Sequence, residues 1–184
     1  MKIGVDIDDT VANTSELIIQ EALNYNFKNF NTKQIKNKNA FHFTDMFGWS
    51  DATYRDFLKE FFTKENVLKI KPKTDAVRVI KELSKQNEIY FITYRHFPAA
   101  YDITKEWLDR YGFKYKQLIV NSGNKGLACK QNDIAIFIDD MVNHCEEVRR
   151  YNIPVLLMDS PYNQMNKELK RVRNWAEVLA KLSK

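Results

Sequence analysis

Cysteine, glycine and proline are all scarce in this chain: two, five and four among 184 residues. Cys129 and Cys145 lie in segments patterned as helices and show no disulfide spacing. That excludes a disulfide-stapled scaffold and points to free thiols in a reducing compartment. So few glycines and prolines exclude a disordered linker. No stretch reaches the roughly 18 apolar residues of a membrane span, and the first residues enter a strand pattern without a charged leader. A cytoplasmic protein without membrane contact is therefore expected. Excess charge of one sign is limited too: the net +5 is spread along the chain. It suits a small anionic substrate at least as well as nucleic acid, and equally a surface that is basic only for solubility. There is no internal repeat and no low-complexity tract.

What is present is an ordinary globular composition, 44% hydrophobic and 29% charged, with a high aromatic share of 13%. Short apolar runs at residues 2–8, 88–94, 117–120, 134–138 and 155–158 read as strands buried on both faces. Helical spacing fills the intervals at 74–84, 101–111 and 141–151, and again at 174–182, where Asn174 and Glu177 are spaced like a capping box. Such alternation predicts an α/β fold, a Rossmann-like and mainly parallel sheet with right-handed crossovers. One region breaks it. Residues 14–70 hold two amphipathic helical patterns (14–25 and 51–62), the aromatic stretch around Phe41, Phe43, Phe47 and Trp49, and a polar loop at Lys36-Asn37-Lys38-Asn39. A crossover needs far fewer residues. The expected organisation is a core of residues 1–13 and 71–184, with 14–70 inserted after strand one as a small helical cap.

The densest chemistry is Asp6-Ile7-Asp8-Asp9-Thr10, directly after Ile3-Gly4-Val5. Three carboxylates within four positions repel unless a cation sits among them, and Mg2+ takes oxygen ligands. In extended backbone Asp6 and Asp8 would point to one face. Ligands of open parallel sheets sit outside the carboxyl ends of the strands. Polar residues recur there: Asp6 and Asp8, Thr93-Tyr94-Arg95, Asn121 to Lys125, Asp139-Asp140, and Asp159 to Asn163. A metal-screened carboxylate is a reasonable nucleophile toward phosphorus. His42, His96 and His144 show no metal-ligand spacing, so surface or packing roles are expected.

In order along the chain, the DxDxT run after an apolar strand, Thr93 ending the second strand, a lysine, and an apolar strand ending in Asp139-Asp140 resemble the four motifs of the haloacid dehalogenase superfamily of phosphohydrolases. Chain size, Ile138-Asp139-Asp140 and Asp159-Ser160-Pro161-Tyr162-Asn163 resemble its 5'(3')-deoxyribonucleotidase group more closely. The resemblance implies Asp6 as the nucleophile that forms an aspartyl-phosphate, with Asp8 as general acid and base. Phosphate binding falls to Asp9 (through its backbone N–H), Thr10, Thr93 and Lys125. Mg2+ is bound by Asp6, the Asp8 carbonyl and Asp139, with Asp140 behind them. Lys130 competes with Lys125, which is preferred because it follows a strand-end loop at a helix start. Phe41, Phe43, Phe47, Trp49 and Arg95 are candidates for the substrate pocket, since bases stack on aromatic faces, although aromatics in an insertion also serve its own core.

The function expected is a Mg2+-dependent phosphomonoesterase acting on nucleoside monophosphates. The partner is a small phosphorylated substrate rather than a nucleic-acid polymer, and a homodimer is left open. A phosphatase for another metabolite, such as a sugar phosphate, is the enzymatic alternative. A receiver-type phospho-acceptor is a third, but it would carry its aspartate on a later strand, where this chain has Thr93. The last is a catalytically dead binding protein, against which all four motif positions are filled.

Overall fold

The computed structural model describes residues 1–38, 40 and 42–183. Along the chain, β1 (Lys2–Val5) is followed by α1 (Thr14–Phe30), α2 (Phe43–Phe47), α3 (Asp51–Phe61), α4 (Lys64–Lys69) and α5 (Ala76–Leu83). Then come β2 (Glu88–Ile92), α6 (Ala100–Tyr111), β3 (Gln117–Ile119), α7 (Lys125–Gln131), β4 (Ile136–Asp139), α8 (Val142–Arg149), β5 (Val155–Met158), a 3-10 turn (Pro161–Asn163), β6 (Arg171–Val172) and α9 (Trp175–Leu182). The chain divides into two units, residues 1–13 with 71–184, and residues 14–70.

In the first unit six parallel strands form one sheet in the order β3-β2-β1-β4-β5-β6. β1 is central, and its Val5 sits in register with Phe91 on one side and Ile138 on the other. The apolar runs make this possible, because a sheet covered on both faces has no side for polar residues. Tyr90, Ile92, Phe137, Val155 and Leu157 pack with Val148, Leu169 and both cysteines in one cluster. Burial pushes the Cys129 thiol up to about 12, so it serves as a small apolar group. The sheet differs from the sequence reading at its centre and at one edge. The pairing of β1 stops at Val5, and Asp6 to Asp8 lie beyond it. A sixth strand, β6, closes the far edge. At α9, Asn174 Oδ1 accepts from Glu177 N (3.0 Å) as expected, while the Glu177 carboxylate accepts from Arg173 N (3.0 Å).

The second unit is helical. Ile18, Ala22, Met46, Phe47, Trp49, Phe57 and Phe61 form its core. Phe47 and Trp49 stack at 4.8 Å between ring centres, and the Trp49 indole N–H donates to Asn26 Oδ1 (2.6 Å) inside that core. Ser50 caps α3 by accepting from Thr53 N (3.2 Å). Among the described residues, no helix is long and apolar enough to cross a membrane.

Candidate active site

Parallel pairing brings the ends of β1 and β4 side by side, because Asp6 N donates to Ile138 O (2.9 Å). Asp6 and Asp139 are both buried there. Between them sits Lys125, whose Nζ lies 2.6 Å from Asp6 Oδ1 and 2.7 Å from Asp139 Oδ2. Its position follows from the start of α7. Asn124 caps the helix by accepting from Leu127 N (2.6 Å), and the Lys125 N–H donates to the Glu147 carboxylate of α8 (2.9 Å). Gly126 permits the approach of the two helices. A Cβ there would stand 2.6 Å from the Tyr151 ring and 2.7 Å from the Glu147 carbonyl, closer than packed atoms come. Lys130, the competing lysine, is exposed, with its ammonium 5.6 Å from the Tyr151 ring centre.

Asp139 is held by Met141 N, which donates to Oδ1 (2.8 Å). His144 Nδ1 stands 3.3 Å from Oδ2, within ion-pair range but not aligned as a hydrogen bond. Asp140 is gripped from both sides. Thr10 Oγ1 donates to its Oδ1 (2.8 Å), and the Tyr162 hydroxyl donates to its Oδ2. Asn163 Nδ2 donates to the Asp140 carbonyl (2.8 Å), and Trp175 Nε1 to the Thr10 carbonyl (2.9 Å). Thr10, expected at the phosphate, thus has a fully buried hydroxyl committed to Asp140.

Asp6, Asp139 and Asp140 are buried with ligand oxygens within 4.8 Å of one another, the one such cluster among the described residues. Three carboxylates face one ammonium, and their proton affinities record the imbalance. Burial pushes Asp6 up to about 7 against the pull of Lys125, with Asp139 and Asp8 adding to the rise. Burial together with Asp139 and Asp6 holds Asp140 well above the usual carboxylate range. Burial raises Asp139 too, but Lys125 and His144 together outweigh it and bring it below its ordinary value. Burial works against the charge of Lys125, and the two carboxylates overcome it, so its pKa is raised. A buried all-oxygen cluster short of positive charge fits a hard divalent cation such as Mg2+.

Beyond Asp6 the backbone leaves the strand. The Ile7 carbonyl accepts from Val11 N (3.0 Å) and Ala12 N (2.9 Å), and Asp9 takes the left-handed conformation at φ 54°. Pairing of β1 ends before Asp6 and Asp8, yet the two stay near enough for Asp8 to add to the rise of Asp6. The two carboxylates engage different cations: Asp6 meets Lys125, and Asp8 meets Arg95. Thr93 is buried just past β2, its N donating to Ile119 O (2.9 Å) and its carbonyl accepting from Ser122 N (3.1 Å). Arg95, expected among pocket residues, is buried as well.

Of the aromatic candidates in the second unit, Phe47 and Trp49 lie in that unit's core and Phe43 is half-buried, stacked on Tyr54 at 6.2 Å. Phe41 lies outside the described residues. Sequence reasoning assigned nothing to Glu147, Gly126 or Thr104, gave His144 only a surface or packing role, and named Tyr162 only within the segment 159–163. A lone Glu or His on a helix carries no signal until a second helix is packed against it.

A family model covers residues 1–183, that of the 5' nucleotidase, deoxy (pyrimidine), cytosolic type C proteins. The chain belongs to this family. The nucleotidase CA_C3379 of Clostridium acetobutylicum is similar, 26% identical over 181 residues that cover 97% of this chain and 91% of the relative. Among solved structures, the haloacid dehalogenase-like hydrolase SP0104 of Streptococcus pneumoniae superposes with a TM-score of 0.68 at 17% identity, covering 98% of this chain and 97% of that one. YfnB of Bacillus subtilis, solved with magnesium bound, gives 0.68 at 14% identity over 100% and 99%. At such identity these structures speak for the fold. The cytosolic type C family membership makes this chain a hydrolase, a nucleotidase or phosphatase, on a haloacid dehalogenase fold.

Proposed function

We propose that the protein is a Mg2+-dependent phosphomonoesterase that hydrolyses nucleoside monophosphates, deoxyribonucleotides included, through an aspartyl-phosphate on Asp6. The observation that carries this reading is the buried Asp6–Lys125–Asp139 arrangement at the carboxyl ends of β1 and β4, in a chain of the cytosolic type C family. Asp6, Asp139 and the Asp8 carbonyl would hold the ion, with Asp140 behind them. When bound, Mg2+ screens the carboxylates from the phosphate and withdraws charge from the phosphoryl oxygens.

The chain's own residues do the rest. An Asp6 carboxylate oxygen forms a bond to phosphorus as the bond to the ester oxygen breaks. The departing oxygen takes a proton from Asp8. Asp8, now a carboxylate, accepts a proton from water, whose oxygen attacks phosphorus and releases Asp6 and inorganic phosphate. Lys125, Thr93 and the backbone N–H of Asp9 balance the charge of the transferring group. Phosphoryl transfer is mainly positioning and charge stabilisation, which buried, fixed groups provide. In the insertion, Phe47 and Trp49 are taken up by core packing, which leaves Phe43 as the described ring of the four with surface to offer.

A panel of phosphate esters tests the reading. Turnover of dUMP, dTMP or dGMP that is lost with EDTA and restored by Mg2+ is expected. Rapid turnover of sugar phosphates with none of these nucleotides would overturn the nucleotide assignment. Asp6→Asn should lower turnover by about a thousandfold or more while the variant still unfolds cooperatively.

A further inference from the structure

Arg95 is a buried cation beside the catalytic run, and the scheme above leaves it without a task. Its side chain is 2% exposed, whereas that of Asp8 is 33% exposed. The guanidinium meets Asp8 as a fork: Nη2 donates to Oδ1 (2.8 Å) and Nε to Oδ2 (3.0 Å). The fork is itself held in place. Nη1 donates to the buried Thr104 Oγ1 of α6 (3.2 Å), the guanidinium carbon lies 5.9 Å from the Trp107 ring centre, and the Arg95 backbone N–H reaches Thr93 Oγ1 (3.4 Å). Asp8 itself follows the end of β1, forms an isolated bridge with Ala12 and precedes the left-handed Asp9. A planar fork fixes the plane of a carboxylate, which a point charge does not.

We propose that Arg95 is a positioning residue for Asp8, a rigid buried fork that aims its carboxyl group at the ester oxygen leaving phosphorus. The inference rests on the reading of Asp8 as the acid. In that step the Asp6–phosphorus bond forms, the phosphorus–ester oxygen bond breaks, and its electron pair takes the Asp8 proton. Asp8 is left as the carboxylate that Arg95 grips by both oxygens. One oxygen serves the leaving group while the other keeps its contact with the fork.

The test uses kcat/KM, which reports only the steps through leaving-group departure, with two substrates of the full-length protein. A nucleoside 5'-monophosphate expels an alkoxide and needs the proton, while p-nitrophenyl phosphate expels a stable phenolate and does not. Arg95→Lys keeps the charge and removes the fork. It is expected to lower kcat/KM by about 10- to 100-fold on the nucleotide and by less than about threefold on the aryl ester. Asp8→Asn should show the same selectivity, and Arg95→Lys should add nothing in the Asp8→Asn background. Equal losses on both substrates would mean that Arg95 only supports the fold, and would overturn the proposal. If Asp8→Asn is itself unselective, the acid assignment fails, and the proposal falls with it. If Asp8→Asn is selective and Arg95→Lys is not, the positioning role alone fails. Thr104→Val, near in shape and lacking the hydroxyl that steadies Nη1, carries the same ratio test should Arg95→Lys not fold, with a selective loss of about threefold expected.

Discussion

Replacing Lys125 by Met would remove the one ammonium that separates Asp6 from Asp139 while keeping the length of the side chain. The ammonium lies 2.6 and 2.7 Å from the two carboxylates, all three side chains are at most 6% exposed, and water cannot take its place cheaply. Removing one partner of a buried ion pair costs about 3–5 kcal/mol, because the remaining charge is left uncompensated. For a chain of this size that corresponds to a fall in Tm of roughly 6–20 °C. The loss should depend on pH. Asp6 already stands at about 7 against an ordinary 3.8, so between those values the folded protein keeps a proton that the unfolded chain releases, and stability falls as pH rises. Without Lys125 the Asp6 proton is held more tightly still. The variant is therefore expected to lose much less stability at pH 5 than at pH 8. Urea denaturation of both proteins at the two pH values, in EDTA, measures this. An equal loss at pH 5 and pH 8, or a Tm within about 2 °C of the parent, would refute the view that the lysine's charge holds this cluster together.

The helix start that aims Lys125 can be tested at Gly126. Alanine is the better helix former by about 1 kcal/mol, yet its Cβ meets the Glu147 backbone, so Gly126→Ala should destabilise by about 1–3 kcal/mol and lower activity; a more stable variant in urea denaturation would sink the close-approach argument. In the second unit, Asn26→Ala leaves the Trp49 indole N–H buried without its acceptor, and a loss of about 1–3 kcal/mol is expected by thermal unfolding. Trp49→Phe in the Asn26→Ala background should recover part of that loss, and no recovery would show that the hydrogen bond is not the cause.

Sequence and structure divide the work unevenly across the site. The strand-end carboxylates were legible because they are contiguous in the chain with the apolar runs they follow: Val5 with Asp6, and Ile138 with Asp139. The run was read as strand through Asp8, whereas pairing of β1 ends at Val5 and the Ile7 carbonyl accepts from Val11 N and Ala12 N rather than from a neighbouring strand. β6 escaped notice because two paired residues, Arg171 and Val172, are too few for any periodicity.

By itself the sequence determined the parallel α/β architecture and the identity of the acidic run, since burial patterns and motif order are properties of a linear string. Tertiary structure alone decided which lysine reaches Asp6, that Arg95 pairs with Asp8, that Tyr162 and Thr10 hold Asp140, and that Phe47 and Trp49 are packed in a core. Each of these joins elements distant along the chain. Residue 95 meets residue 8 and residue 125 meets residue 6 only after the sheet has set its strand order, and spacing in the sequence carries no trace of that.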